Sequence, residues 1–231
     1  MSRSGQIPLR FPEQSLSFDD MALTDANRGV IVSVRKTARW PYHVFCLIGP
    51  AQSGLTTIAK AWASEQGGMF LSAQAFSELS VSEIEDLCSN ALAIDRADQI
   101  QTEALLLNTI SAVGRLGGRL LLTAPNAPAQ WQSSSRDLAS RLKSAPIADL
   151  GAPDEALMRA RIQRACARAY LVLSKPVEDY LVTRLGLSFA GIEDAVLRLD
   201  GAAAKRPLSV PMVREVLGIG DKHGQQPSDE E

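Results

Sequence analysis

Short apolar runs alternate with amphipathic stretches along the first two thirds of the chain. Four such runs occur, at residues 44–48, 69–71, 91–95 and 119–123. The run at 44–48 predicts a strand that is buried on both faces, and such strands are usually parallel; the run at 91–95 predicts another buried strand, and the runs at 69–71 and 119–123 are further strand candidates. Stretches with helical periodicity lie between them, at 56–66, 82–90 and 103–116. The order strand, helix, strand, helix therefore predicts an α/β fold with a parallel sheet.

Two helix starts are predicted from capping residues. Asp25 is a candidate N-cap for a helix within 18–39, because its carboxylate can accept a bond from a free backbone N–H. Ser82 is followed three residues later by Glu85, which is the pattern of a capping box.

The pattern changes after Gly151, where only helical periodicity remains. Helices are predicted at 154–170, 175–185, 188–200 and 211–217. We therefore divide the chain into four parts: an extended N-terminal arm at 1–16, an α/β domain at 17–150, a helical domain at 151–217 and a polar, disordered tail at 218–231.

Composition narrows the class of protein. The chain has 231 residues, 45% of them apolar, a net charge of −2 and a pI near 5.8, which argues against a large basic surface for nucleic acid. Its three cysteines, Cys46, Cys88 and Cys166, include no CxxC pair and predict buried thiols in a reducing compartment. No apolar run reaches ~18 residues, and the polar N-terminus is not a signal peptide. We expect a cytoplasmic protein without a membrane partner.

A glycine-bounded loop follows the first strand and precedes a helix. Its sequence, Gly49-Pro50-Ala51-Gln52-Ser53-Gly54-Leu55-Thr56, has the spacing of a P-loop, GxxxxGK[ST], with leucine in place of lysine. Backbone N–H groups and the helix N-terminus would face a phosphate, and Thr56 would ligate Mg²⁺. The alternative is a glycine turn that only joins strand to helix.

Asp95 ends a buried strand, where P-loop ATPases carry the acid that organises Mg²⁺. The next position, usually a second acid in proteins that hydrolyse ATP, is Arg96. A carboxylate that only caps a helix remains the alternative for Asp95. The predicted nucleotide-binding residues are Gly49, Gln52, Ser53, Gly54, Thr56 and Asp95, with Thr56 and Asp95 as Mg²⁺ ligands only if nucleotide is bound.

Three further segments carry motifs that occur together in one protein family. They are residues 17–21 with Asn27, residues 119–123 with Pro128, and the hexapeptide Asp137-Leu138-Ala139-Ser140-Arg141-Leu142. With the P-loop, they resemble the Hda-like regulatory branch of the DnaA family of AAA+ proteins, over most of the chain from Gln6 to about Leu217. The resemblance implies a P-loop AAA+ parallel-sheet core with a small C-terminal all-helical lid domain.

The hexapeptide resembles the box that carries the family's arginine finger. The resemblance implies that Arg141 reaches the γ-phosphate of a neighbouring subunit, where a guanidinium stabilises charge that develops during hydrolysis. An ordinary surface arginine on an amphipathic helix is the alternative. The family's two γ-phosphate sensors fall at Ala190 and near Pro125, with Asn126 as a candidate substitute.

The arm contains Gln6-Ile7-Pro8-Leu9-Arg10-Phe11, which is similar to the peptides that bind the replication sliding clamp. In such peptides the glutamine bonds at the pocket entrance, while the leucine and the aromatic residue fill an apolar pocket. The resemblance implies that Gln6, Leu9 and Phe11 bind the clamp, the β subunit of DNA polymerase III. The alternative is a strap in which Leu9 and Phe11 pack on this protein's own core.

The resulting hypothesis is a regulator of replication initiation that binds the sliding clamp and stimulates ATP hydrolysis by DnaA through Arg141. ADP is a candidate ligand held weakly or not at all, because Leu55 replaces the P-loop lysine; intrinsic ATPase activity is not expected. A homodimer is an open alternative, and direct sequence-specific DNA binding is not expected, because residues 151–217 leave no room for a helix-turn-helix domain.

Two other functions stay open: a degenerate AAA+ adaptor that works without nucleotide, and an ATPase in its own right. The helix predicted at 154–170 also has a basic side, which is either a solvated face or a partner surface. This side is formed by Arg159, Arg161, Arg164 and Arg168, together with Lys175.

Overall fold

Five parallel strands form the central sheet of the computed structural model, which describes residues 17–203 and 208–218. The strands are β1 (Val44–Ile48), β2 (Met69–Ser72), β3 (Ala91–Asp95), β4 (Arg119–Ala124) and β5 (Ile147–Asp149). Their order is β2-β3-β4-β1-β5, and every neighbouring pair is parallel. The predicted parallel α/β fold is confirmed. The arm at 1–16, with Gln6, Leu9 and Phe11, lies outside the described residues, as does the predicted tail from 219 onward.

One strand and one short helix were not predicted. β5 is a three-residue edge strand with partly exposed side chains, so it lacks the apolar run that marks the central strands. It pairs with β1 alone. The short helix α3 (Ala73–Glu78) follows β2 directly, and its N-cap Ser72 is also the last residue of that strand.

Among residues 17–150, six α-helices accompany the sheet: α1 (Asp25–Arg35), α2 (Leu55–Glu65), α3, α4 (Val81–Leu87), α5 (Glu103–Leu116) and α6 (Arg136–Lys143). Alternate residues of the central strands face opposite sides of the sheet. Cys46 and Leu122 belong to the apolar cluster under α4, α5 and α6. Phe45 and Leu121 belong to the cluster under α1 and α2.

Both predicted helix caps are wrong, the first by one residue and the second by two. The N-cap of α1 is Thr24 rather than Asp25, and the Thr24 N–H donates to Asn27 Oδ1 over 2.9 Å. The capping box of α4 lies at Ser80 and Glu83, two residues before the predicted pair. The pattern Ser-x-x-Glu occurs twice in succession, and starting the helix after Ser80 places Ile84 in the core.

Four helices follow the sheet and pack around a third apolar cluster: α7 (Glu155–Arg168), α8 (Lys175–Leu185), α9 (Ile192–Ala203) and α10 (Val210–Leu217). The cluster includes Met158, Leu181 and Leu199, each at most 1% exposed. α9 begins four residues later than predicted. We call α7–α10 the C-terminal helices.

Asp154 ties the C-terminal helices to the start of α1. Its Oδ1 accepts a 2.7 Å bond from the Leu157 N–H and caps α7, while its Oδ2 accepts a 3.2 Å bond from the Ala26 N–H. These bonds hold the pKa of Asp154 below its usual value. The carboxylate therefore holds the start of α7 next to the start of α1. Within the described ranges, no helix combines the length and the hydropathy needed to span a bilayer.

Candidate nucleotide site and the predicted arginine finger

The loop between β1 and α2 lies at the carboxyl end of the sheet, as the strand-loop-helix pattern predicts. Gly54 has a φ of 104° and Gln52 a φ of 64°, so the loop makes two left-handed turns before α2 begins at Leu55. A left-handed conformation has little steric cost for glycine. The turns leave the loop and the first turn of α2 facing a cleft.

Three polar side chains meet beneath this loop. Thr56 Oγ1 donates a 2.8 Å hydrogen bond to Asp95 Oδ2, and Thr123 Oγ1 donates a 2.5 Å bond to Asp95 Oδ1. Asp95 and Thr123 are 8% and 1% exposed. The structure therefore brings together the two predicted Mg²⁺ ligands, which lie 39 residues apart, and adds Thr123, which the sequence reasoning missed.

This arrangement fits a magnesium ion that is also held by a nucleotide. Thr56 uses its proton toward Asp95, so its oxygen lone pairs stay available to a cation. No group of three or more His, Cys, Asp or Glu side chains suited to a metal occurs in the part of the chain that the structure describes. Mg²⁺ at Thr56 and Asp95 would therefore need phosphate oxygens or water as further ligands.

The loop also fits a phosphate at one unusual position. Ser53 is 4% exposed, and its Oγ has no hydrogen-bond partner in the described structure. A buried hydroxyl without a partner carries a desolvation cost that a phosphate oxygen would remove. The cleft beside it has a volume of about 530 Å³ and is lined by the loop, β3, β4, α7 and α9.

Leu55 and Arg96 lie where the P-loop and strand-end motifs predict a lysine and a second acid. Leu55 is half-buried against the apolar cluster under α2. Arg96 lines the cleft with a left-handed backbone, and its N–H donates to Thr123 Oγ1 over 3.3 Å. Neither residue can supply a carboxylate for a water nucleophile, and Leu55 carries no charge for a γ-phosphate.

A second cleft, of about 570 Å³, holds the predicted sensor positions. Pro125, Asn126 and Ala190 line it together with Gly49 and Pro50. The two predicted sensor positions therefore lie in one cleft, because β4 and the segment before α9 approach the same side of the loop. Asn126 uses its backbone carbonyl to accept a 2.9 Å bond from Trp131 Nε1.

Arg141 lies on α6, away from this cleft. Its Nε donates to Asp137 Oδ1 over 3.1 Å within the same helix, and both side chains are substantially exposed. The start of α6 is held by Glu103, which accepts bonds from the Ser134 and Ser135 N–H groups over 2.9 and 3.0 Å. These bonds hold the pKa of Glu103 below its usual value. Sequence reasoning missed Glu103, whose bonds span about 30 residues of chain.

The sequence placed Arg161 only on the basic side of a predicted helix, without a contact to the loop. Its guanidinium, on α7, donates a 2.5 Å bond from Nη2 to the Ser53 carbonyl oxygen. The two residues lie 108 positions apart, so no local pattern could have joined them. The basic side predicted for this helix thus faces the loop with at least this one side chain.

Comparison with known proteins identifies the fold. The structure superposes on domain III of the replication initiation protein DnaA from Thermotoga maritima with a TM-score of 0.75, covering 89% of this chain and 96% of that one at 13% identity. The chain has the DnaA-type AAA+ fold. AMPPCP-bound DnaA from Aquifex aeolicus also matches, with a TM-score of 0.67 and 17% identity over 83% of this chain and 67% of that one.

The DnaA relationship extends to the sequence. This chain is 26% identical over 110 residues to the chromosomal replication initiator protein DnaA of Campylobacter curvus (strain 525.92). That match covers 48% of this chain and 25% of the initiator, so this DnaA-like chain corresponds to a quarter of its relative's length. No protein-family model matches the sequence. The predicted resemblance to DnaA is confirmed for the AAA+ fold and for this stretch of sequence.

Proposed function

We propose that this DnaA-like chain regulates replication initiation by stimulating ATP hydrolysis on DnaA. Arg141 would serve as the arginine finger that completes the active site of a neighbouring DnaA subunit. A guanidinium placed at a γ-phosphate neutralises charge that develops during hydrolysis, and it requires no hydrolysis by the protein that carries it.

The observation that carries the proposal is that Arg141 lies outside the nucleotide cleft of its own chain. Among the described residues, the side chains that line the cleft around the loop do not include Arg141. Its side chain on α6 is 36% exposed and pairs with Asp137 of the same helix. A guanidinium that is exposed and does not line its own cleft is suited to act on another subunit.

The cleft of this chain would hold ADP weakly, with Mg²⁺ only in the company of nucleotide. Backbone N–H groups of the loop, Ser53 Oγ and Thr56 suit a diphosphate. Leu55, Arg96 and Ala190 lack the groups that act on a γ-phosphate. We therefore infer that the chain has no ATPase activity of its own.

Recruitment to the sliding clamp is the second part of the proposal, and it rests on sequence alone. Gln6, Leu9 and Phe11 match the spacing of clamp-binding peptides. Pro8 restricts the backbone of the arm and lowers the ordering cost of binding. The clamp would bring the chain to DNA and to DnaA. A pull-down with the clamp β subunit, comparing Gln6→Ala and Phe11→Ala with wild type, tests it; capture by both variants at wild-type level would contradict it.

A DnaA ATPase assay with clamp loaded on DNA tests the finger. Wild type should accelerate hydrolysis, and Arg141→Ala should abolish the acceleration. Lys143→Ala removes an exposed charge two residues away on the same helix and is the matched control. Arg141→Lys keeps the positive charge but loses the planar guanidinium and its paired donors, so it should restore little of the stimulation. Equal stimulation by wild type and Arg141→Ala would reject the proposal.

An adaptor that binds partner proteins without nucleotide is the second candidate. Leu55 favours this candidate, because the loop then lacks the lysine that would bind the phosphates of a nucleotide. Calorimetry separates the two in part, because an adaptor shows no heat of ADP binding at millimolar concentration. The Arg141 assay then separates them fully.

A further inference from the structure

Arg161 places a positive charge on the nucleotide loop from a distant part of the chain. Its Nη2 lies 2.5 Å from the Ser53 carbonyl oxygen. A Cβ at Gly54 would lie 2.5 Å from the same nitrogen, so the glycine leaves room for the guanidinium. The Phe189 ring, 5.1 Å from the guanidinium carbon, flanks it on another side.

Arg168 lies two turns further along α7 and lines the same cleft. It bonds Glu193 Oε1 over 2.6 Å, and both side chains are exposed. Arg161, Arg168 and Glu193 line the cleft together with the loop, Thr56 and Asp95. The cations of α7 and the phosphate loop therefore share one cavity of about 530 Å³.

Three arginines, Arg96, Arg161 and Arg168, and two carboxylates, Asp95 and Glu193, line this cavity, so its formal net charge of +1 favours an anion. Burial, followed by the charges of Arg164 and Arg168, lowers the pKa of Arg161, while Glu193 opposes the shift. The acceptor that Arg161 has at Ser53 is a neutral carbonyl. A phosphate oxygen would give a charge-assisted bond, which is stronger.

A second observation points independently to a ligand. The Ser53 Oγ is unpartnered, its side chain is 4% exposed, and it belongs to the same loop residue whose carbonyl Arg161 holds. A diphosphate that reaches the loop can accept the Ser53 hydroxyl and the Arg161 guanidinium together. A neutral ligand could accept the same two bonds, but the bond from the guanidinium would lack the charge assistance.

We propose that Arg161 and Arg168 supply from α7 the positive charge that Leu55 removes from the loop, so that the cleft binds the diphosphate of a nucleotide between the loop and α7. This inference rests on the nucleotide part of the proposed function and is independent of Arg141. Glu193 restrains Arg168 and repels the anion, so it weakens the site. Because Arg161 and Arg168 belong to the C-terminal helices, diphosphate binding would also stabilise the packing of those helices against the nucleotide loop.

Titration calorimetry on the full chain tests the proposal with ADP, AMP and inorganic pyrophosphate as probes. ADP and pyrophosphate should bind more tightly than AMP, because only they carry a diphosphate. Arg161→Gln should raise the Kd for ADP about tenfold to a hundredfold, and Arg168→Gln should raise it by less, since its guanidinium is exposed. Glu193→Gln should lower the Kd.

Leu55→Lys provides a rescue that a folding defect cannot imitate. In the Arg161→Gln background it should restore ADP binding, because lysine supplies the missing charge from the loop. Arg198→Gln is the matched control: Arg198 also lies on a C-terminal helix and donates to a backbone carbonyl, that of Val216. It should leave the Kd unchanged.

Unchanged ADP binding in Arg161→Gln, or tight AMP binding equal to that of ADP, would overturn the inference. Absence of ADP and pyrophosphate binding to wild type would overturn it as well. None of these results alters DnaA stimulation through Arg141, so the two proposals fail separately. If Arg161→Gln abolishes ADP binding and Leu55→Lys does not restore it, that result would also count against the proposal that α7 supplies the charge missing from the loop.

Discussion

Thr56 and Asp95, from α2 and β3, are joined by a 2.8 Å hydrogen bond at the carboxyl edge of the sheet. Asp95 accepts a second bond from Thr123, on the neighbouring strand. The carboxylate thus links one helix and two strands beneath the nucleotide loop. The same bonds that would prepare a magnesium site also contribute to the stability of the free protein.

Asp95→Ala should therefore destabilise the protein in the absence of any nucleotide. Thr56 and Thr123 would lose their acceptor, and Thr123 is buried, so we expect the free energy of unfolding to fall by about 2 kcal/mol. Urea unfolding measures it. Asp86→Ala, at an exposed carboxylate on α4, is the control and should change it by less than about 0.5 kcal/mol. Equal stability of Asp95→Ala and wild type would show that the bonds are not maintained in solution.

The ion pair of Arg141 with Asp137 should have little energetic weight. The Asp137 side chain is 60% exposed, and exposed pairs at this spacing contribute about 0.3–0.5 kcal/mol. Asp137→Asn should leave the free energy of unfolding within that range and DnaA stimulation within about twofold of wild type. Chemical denaturation and the ATPase assay measure the two quantities. A large loss of stimulation with unchanged stability would instead make Asp137 a positioning residue for the finger.

His43 should make stability fall as the pH is lowered. Its Nε2–H donates a 2.9 Å bond to the Ile110 carbonyl oxygen, and burial, with the charges of Arg119 and Arg141, holds its pKa below the usual value. Below pH ~6.5 the unfolded chain binds a proton that the native ring resists, so the free energy of unfolding declines until the folded pKa is reached.

Urea unfolding between pH ~7.5 and ~5.5 measures this slope. His43→Gln should flatten it, because glutamine has no proton to gain in this range. His223→Gln, at the chain's other histidine, should leave it unchanged. Parallel pH profiles for wild type and His43→Gln would contradict the expectation.

The three cysteines should resist alkylation in the native protein. Burial raises the pKa of Cys46 to about 12 and is the main cause of a pKa of about 11 for Cys88 and Cys166, and each side chain is at most 1% exposed. At pH ~8 the native thiols are neither ionised nor accessible to iodoacetamide. Intact-mass measurement should find no adduct in native protein and three in urea. Rapid labelling of one native thiol would reveal local opening at that site.

The central strands could be predicted because their sequence carries the reason for their position. β1 and β3 begin and end as predicted, and β4 is one residue longer, since each is a continuous apolar run buried on both faces. β5 was not predicted, because an edge strand pairs with only one neighbour and does not need an apolar run. The capping box of α4 was misplaced because two overlapping Ser-x-x-Glu patterns are locally equivalent, and the burial of Ile84 selects between them.

Within the candidate site, the sequence predicted the residues that lie on short motifs. Gly49 through Thr56 form one continuous segment, and Asp95 ends a recognisable strand. Thr123, Glu103 and Arg161 could not be predicted, because each acts through a bond to a residue about 30 or more positions away.

The sequence by itself determined the parallel α/β core, the loop at Gly49–Thr56 and the loss of its lysine, because these depend on local periodicity and spacing. Only the tertiary structure decided that α7 brings Arg161 onto that loop and that α6 keeps Arg141 out of the cleft around it. Both depend on how separate segments pack, and packing energy depends on contacts between residues that no local pattern connects.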